Sequence, residues 1–189
     1  MPRGSFGSAM MFVCALLWGA AGTSHAGEGE LFAVGLRGGL SVKGSSPLGE
    51  EQRRVFAAGD VFATWRLPWS WYDAAGWGVG TRFLASAGVL QGEGATAGVL
   101  TAVPLIAFGD RDGRVTLDAG AGGALLTRHR FGLQDFGGPF QFVGTAGLSA
   151  VLIHPLAVGY RFQHYSDGTI YGRDSRGVDL HMIEVTYRF

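Results

Sequence analysis

Large apolar residues alternate with small or polar ones along most of the chain after Gly27. In Phe32–Val42 the even positions are mostly large and apolar, and the odd positions are mostly small or polar. In Val158–Ser166 the even positions begin Val158, Tyr160 and Phe162, with Gly159, Arg161 and Gln163 between them. The last stretch sets Ile183, Val185, Tyr187 and Phe189 on one face and Met182, Glu184, Thr186 and Arg188 on the other. A period of two is the signature of a strand with two unlike faces. Turn residues divide the chain into eight such segments, at about 31–42, 53–67, 77–90, 96–108, 114–128, 140–153, 156–166 and 178–189. Pro104 falls inside the fourth and requires a bulge or a local break in pairing, because it has no N–H to give a ladder.

Most of these segments are longer than the 5–6 residues usual for soluble strands, and suit the about 9–11 residues of a tilted transmembrane strand. An even count of eight is the smallest common size of an outer-membrane barrel. The connections differ in kind. Gly109–Gly113 and His154-Pro155 are short, whereas 43–52, 129–139 and 167–177 are longer and polar. Trp65, Trp69, Trp71, Tyr72 and Trp77 gather about the second connection, as a girdle at a bilayer interface would. The predicted fold is an all-β, eight-stranded antiparallel transmembrane barrel over residues 27–189. A soluble barrel of lipocalin type is the alternative. It would reverse the two faces, putting Arg37, Arg161, Gln163, Glu184 and Arg188 in solvent.

Met1–Ala26 reads differently. Arg3 precedes an apolar run, Ala9–Ala21, and Ser24-His25-Ala26 supplies small residues for cleavage before Gly27. That is the form of a secretory signal peptide, with an apolar run too short to span a bilayer. Cys14, the only cysteine, lies inside this run and not in a lipoprotein-type box, so the barrel segment has none.

Composition narrows the picture further. Hydrophobic residues make up 47% and charged residues 16%, with 15 basic against 15 acidic side chains. No cationic surplus exists to neutralise phosphates, which excludes a basic nucleic-acid binder. Glycine, 33 residues, relieves crowding inside a barrel whose interior is only wide enough for side chains.

Chemistry concentrates near one strand end. His164 and Ser166 lie two apart and so point the same way, continuing the face of Val158, Tyr160 and Phe162. Asp179 has the parity of Ile183 and Val185, at the start of the neighbouring strand, where its carboxylate would approach His164. A hydroxyl, an imidazole and a carboxylate on one face meet the requirements of an activated serine nucleophile. They are equally the polar residues of an ordinary membrane rim. His181 shares their outward parity and is a reserve partner. Gly92-Glu93-Gly94 reads as a hairpin turn, and no Gly-x-Ser-x-Gly motif occurs.

Gly159-Tyr160-Arg161-Phe162-Gln163-His164-Tyr165-Ser166 resembles the signature of the PagL-type lipid A 3-O-deacylases, acyl hydrolases of the Gram-negative outer membrane. Leu117–Gly122 and Phe140-Gln141-Phe142 with Gly144 resemble the strands preceding that signature. The resemblance implies an eight-stranded barrel with an external Ser-His-acid triad, no metal and no cofactor. It places Ser166 as nucleophile, His164 as base and Asp179 as the acid, shortened from the family's Glu. Two family asparagines are replaced, by Asp167 directly after the serine and by Ser175 four positions before the acid, where oxyanion support is expected. Arg173 and Arg176 are candidates for the phosphates of the substrate. The implied partner is lipid A of lipopolysaccharide in the outer leaflet, with homodimerisation left open. The alternatives are a non-catalytic small barrel, structural or ligand-binding, and a lipid A acyltransferase barrel.

Overall fold

The computed structural model describes residues 29–43, 54–172 and 175–189. The expected signal segment 1–26 and Arg173 lie outside the described residues. Eight long strands are joined edge to edge: β1 (Glu30–Leu40), β2 (Phe56–Tyr72), β3 (Trp77–Gly92), β4 (Ala95–Asp110), β5 (Val115–Leu126), β8 (Phe140–Ile153), β9 (Leu156–Ser166) and β10 (Val178–Arg188). Two-residue strands β6 (Arg130–Phe131) and β7 (Gln134–Asp135) form a separate small hairpin between β5 and β8. The long strands pair antiparallel in the order β1-β10-β9-β8-β5-β4-β3-β2 and close into a barrel. Closure leaves no sheet edge, which is what hydrocarbon demands of a spanning sheet.

The segments expected from alternation appear within a few residues, with one clear extension. β2 runs on to Tyr72, past an irregularity in its pairing with β3 between Arg66 and Ser70. That extension carries Trp69 and Trp71 outward beside the Asp73–Gly76 turn, near the exposed Trp77. Pro104 interrupts one ladder only. It pairs with Phe83 of β3, but the β4–β5 pairs stop at Ala102↔Gly123 and resume at Leu105↔Gly120 with the register unchanged. Glu93 and Gly94 turn the β3–β4 hairpin with φ of 49° and 76°, the left-handed pair that tight hairpins require.

The two faces decide between membrane and water. Along β10, Ile183, Val185 and Tyr187 are exposed, while Met182, Glu184, Thr186 and Arg188 are each at most 6% exposed. Leu36, Leu100, Ile106, Leu117, Leu125 and Leu148 add to the apolar outer wall. Charges sit inside. This is the reverse of a soluble barrel and the arrangement of a transmembrane one.

The interior charges are tied together. Arg161 bonds Glu184 at 2.5 Å and Asp118 at 2.8 Å. Arg37 bonds Asp60 at 2.7 Å and lies 3.6 Å from the same Glu184 oxygen. Glu184 thus bridges two arginines across the lumen, and Gly147 gives the Arg161 guanidinium its space. Toward the long-loop end, Phe56, Phe131 and Phe136 meet edge-on at 5.4–5.6 Å and plug the barrel.

Two expectations follow. Arg161→Ala leaves Asp118 without its ion-pair partner and Glu184 with only the 3.6 Å contact to Arg37, and lowers unfolding stability by about 3–5 kcal/mol. The urea midpoint of the gel shift between folded and unfolded barrel measures it. Ile183→Arg, on the outer wall at mid-strand, lowers stability in lipid vesicles by about 2–4 kcal/mol. A soluble barrel would tolerate that change, so an unaltered midpoint contradicts the membrane assignment of this face.

Candidate active site on the outer wall

β9 and β10 pair so that Asp179 stands directly opposite His164. Their side chains meet on the outer face, with His164 Nδ1 and Asp179 Oδ1 2.5 Å apart. Asp179 is almost fully covered, whereas the His164 ring is partly open. The carboxylate therefore holds the proton of imidazole on Nδ1, which leaves Nε2 as the available base. Ser166 follows two residues along the same face, about 6–7 Å further by strand geometry. Its hydroxyl accepts the Gly168 N–H at 3.2 Å. Among the described residues, no hydrogen bond joins Ser166 to His164. The three residues expected to act together thus share one patch of the wall, two of them in direct contact.

The loop after Ser166 is held by Asp167. Its carboxylate accepts the Thr169 N–H at 3.0 Å and the Tyr171 N–H at 3.3 Å. Gly168 and Thr169 follow with φ of 59° and 67°. Glycine adopts that region freely, whereas a β-branched threonine is rarely found there. The Asp167 bonds hold this turn, and the turn aims the Gly168 N–H at Ser166. As a buried acceptor of backbone N–H groups Asp167 is no donor to an oxyanion. Ser175 donates to the Gly172 carbonyl at 3.3 Å, within the same loop.

The β5–β8 connection clamps this loop from the side. Gln134 Nε2 donates to the Gly177 carbonyl at 3.1 Å, and the Arg176 N–H donates to the Asp135 carbonyl at 3.0 Å. Gly177 has no room for a side chain, since a Cβ there would lie 2.4 Å from the Tyr165 carbonyl oxygen and 3.2 Å from His164 Cε1. Burial pushes the Asp135 carboxyl up, but His129, the Gly137 N–H and Arg130 together hold it below the usual carboxylate range. Gln141, fully buried, donates to the carbonyls of Phe136, Gly138 and Phe140. Gln134, Asp135 and Gly177 were not legible as site residues, because nothing in the local pattern links them to His164. Gln141 belongs to the Phe140-Gln141-Phe142 motif, which was the one available signal.

His181, the reserve partner, is engaged elsewhere. Its Nδ1 lies 2.5 Å from the Tyr160 hydroxyl, and its ring packs against Phe162.

On the other side of His164 stands Gly144 of β8, its cross-strand partner. A Cβ at Gly144 would meet nothing within 4 Å. The wall therefore has a notch beside the imidazole, with Phe142, the partner of Ser166, bordering it. An ester laid against the wall would find an apolar surface, an imidazole with a free acceptor nitrogen, a hydroxyl and a backbone N–H.

A small closed barrel with an apolar outer wall and a charged lumen defines a class, the β-barrel proteins of the bacterial outer membrane. Comparison with known proteins narrows the class. The sequence model of the family described as lipid A 3-O-deacylase (PagL) matches residues 57–188, and the chain belongs to that family. Among solved structures, the crystal structure of the outer membrane enzyme PagL superposes with a TM-score of 0.64 at 18% identity, covering 83% of this chain and 99% of that one. The outer membrane protein Ail of Yersinia pestis, in a nanodisc, gives a TM-score of 0.43 at 14% identity, over 85% of this chain and 100% of that one. The comparison with curated protein sequences found no match. Family and fold place the chain in the outer membrane. No observation supports a homodimer.

The notch gives a test that spares the fold. Gly144→Leu fills open space on the lipid side, so the barrel folds with wild-type heat-modifiability. It obstructs the approach to His164 and lowers ester hydrolysis at least about tenfold, an effect of roughly 1.4 kcal/mol on the barrier. Unchanged hydrolysis by the folded variant would show that substrate does not use this side.

Proposed function

We propose that this chain is a lipid A 3-O-deacylase, cleaving the ester-linked 3-hydroxyacyl chain at position 3, with Ser166 as nucleophile, His164 as general base and Asp179 as the orienting acid. The observation that carries this reading is the His164–Asp179 hydrogen bond across the β9–β10 seam, on the lipid-facing wall, with Ser166 on the same face. A histidine bonded to a nearly buried carboxylate is costly at a bare rim and useful as a base. The reading takes residues 1–26 as the signal segment that exports the precursor.

Catalysis begins when the Ser166 hydroxyl turns from Gly168 to His164 Nε2 and gives up its proton as its oxygen attacks the ester carbonyl. The tetrahedral intermediate carries its charge on the former carbonyl oxygen. The Gly168 N–H, released from Ser166, is the nearest backbone donor for that charge. Asp179 stabilises the imidazolium. His164 then protonates the departing sugar oxygen, and an acyl-Ser166 ester remains. Water, deprotonated by His164, cleaves it, the 3-hydroxy fatty acid leaves and Ser166 regains its proton. The acyl chain lies along the outer wall by Phe142 and Phe162, so the leaflet itself presents the substrate. Arg176, in the adjoining loop, and Arg173, by its place in the sequence, are the candidates for pairing with the lipid A phosphates.

Mass spectrometry of lipid A from cells expressing folded variants tests the assignment. Ser166→Ala and His164→Asn each reduce deacylation by at least about 10³-fold, and the double variant is no worse than either alone, because base and nucleophile act as a unit. Asp179→Asn loses about 10²–10⁴-fold, by disturbing tautomer and charge. Normal deacylation by a correctly inserted Ser166→Ala protein would remove Ser166 from the chemistry.

A further inference from the structure

At the barrel end opposite His164, three arginines converge on one ring. Phe32 is buried at the bulged start of β1, and the guanidiniums of Arg82, Arg66 and Arg188 lie 4.0, 4.7 and 5.4 Å from its centroid. Arg66 and Arg82 are direct cross-strand partners on β2 and β3. Like charges placed so are destabilising unless something of opposite sign joins them. Asp60, Asp118 and Glu184, the acids of the lumen, are already bound to Arg37 and Arg161. Among the described residues, no carboxylate lies within the 4.0 Å of an ion pair from Arg66, Arg82, Arg114 or Arg188.

Arg188 is the informative member. It is 4% exposed, and only its Nη2 is bonded, to Ser149 Oγ at 2.8 Å. Its Nε and Nη1 are buried without any partner. Leaving charged donors unpaired in such a place costs more than a lost neutral hydrogen bond. Arg188 also lines a cavity of about 480 Å³ at this mouth, with Arg66, Arg114, His154, Asp112, Val151 and Phe189 around it. An open depression thus lies where three arginines face one carboxylate, Asp112.

We propose that this mouth of the barrel is a phosphate-binding site, with Arg66, Arg114 and Arg188 lining it and Arg82, stacked on Phe32 behind them, adding positive charge. Guanidiniums arriving from β2, β10 and the β4–β5 turn match an anion with three or more acceptor oxygens spread in space. A carboxylate would be satisfied by one planar fork. The anion neutralises the cluster. Exposed Phe189 gives the cavity an apolar rim on the side of the bilayer. A phosphate can therefore arrive as the free ion or as the headgroup of an anionic phospholipid. The site shares no residue with the His164 patch and does not depend on the deacylase reading.

The test uses the full barrel refolded in zwitterionic micelles, titrated calorimetrically with inorganic phosphate. In parallel, the barrel is held in nanodiscs of phosphatidylcholine with or without phosphatidylglycerol, and retained lipid is read by native mass spectrometry. Arg82→Gln and Arg66→Gln each weaken the bound species at least tenfold. Arg111→Gln, on the same turn side but stacked on Tyr72 away from Phe32, leaves binding unchanged. Heat with inorganic phosphate identifies the free ion, and retention of phosphatidylglycerol alone identifies the headgroup. Should Arg82→Gln fail to fold, the half-buried Arg66 carries the test. Absence of both signals in the wild type, or equal binding by Arg66→Gln and Arg111→Gln, would show that the guanidiniums only stack on Phe32 and overturn the proposal. Ester hydrolysis at the far mouth is unchanged in Arg66→Gln.

Discussion

Everything in this molecule follows from having to satisfy every backbone hydrogen bond within a sheet that has no ends. In hydrocarbon an unpaired N–H or C=O costs several kcal/mol, so the strands pair all the way round. Closure then ties each side chain to the lumen or the wall by the parity of its position alone. Arg161, Glu184 and Arg188 must point inward because Tyr160, Ile183 and Phe189 point outward. The lumen, too narrow for bulk water, becomes an ion-paired core in which Glu184 serves Arg37 and Arg161 at once.

The same parity explains why a site for chemistry can stand on the outside. His164 and Ser166 occupy outward positions near the end of β9, and the β9–β10 register sets a carboxylate against the imidazole. A soluble enzyme must build a cleft to exclude water and hold an acyl chain. In the proposed reading the wall supplies one side and the lipid leaflet the other. What remains for the protein is to fix a few polar atoms at the right height. Asp167, Gln134 and Gly177 do this by holding the loop that follows Ser166.

The two mouths of the barrel are unlike. One is closed by the Phe56, Phe131 and Phe136 plug under long loops, and carries the imidazole and hydroxyl on its rim. The other is bounded by short turns and gathers guanidiniums around Phe32 with no carboxylate at ion-pair distance among the described residues. Among the described residues the tight ion pairs of the lumen lie in the middle of the barrel, and arginines stacked on Phe32 lie at one end.

Much of this was legible before any coordinates. Alternation gave the eight strands within a few residues, the outward parity of His164, Ser166 and Asp179, and the Glu93-Gly94 hairpin. It also gave the interrupted ladder at Pro104. These are local matters, determined by a period of two and by the chemistry of single residues. Alternation left the choice between a soluble and a membrane barrel open, because either face of a strand can be the inner one. It also could not name neighbours across the sheet. The contact of His164 with Asp179 required the register of β9 on β10. The clamp of Gln134 on Gly177, the notch at Gly144 and the gathering of Arg66, Arg82 and Arg188 about Phe32 required barrel closure. Parity assigns each residue a face, but only the register and closure of the sheet decide which distant residues share it.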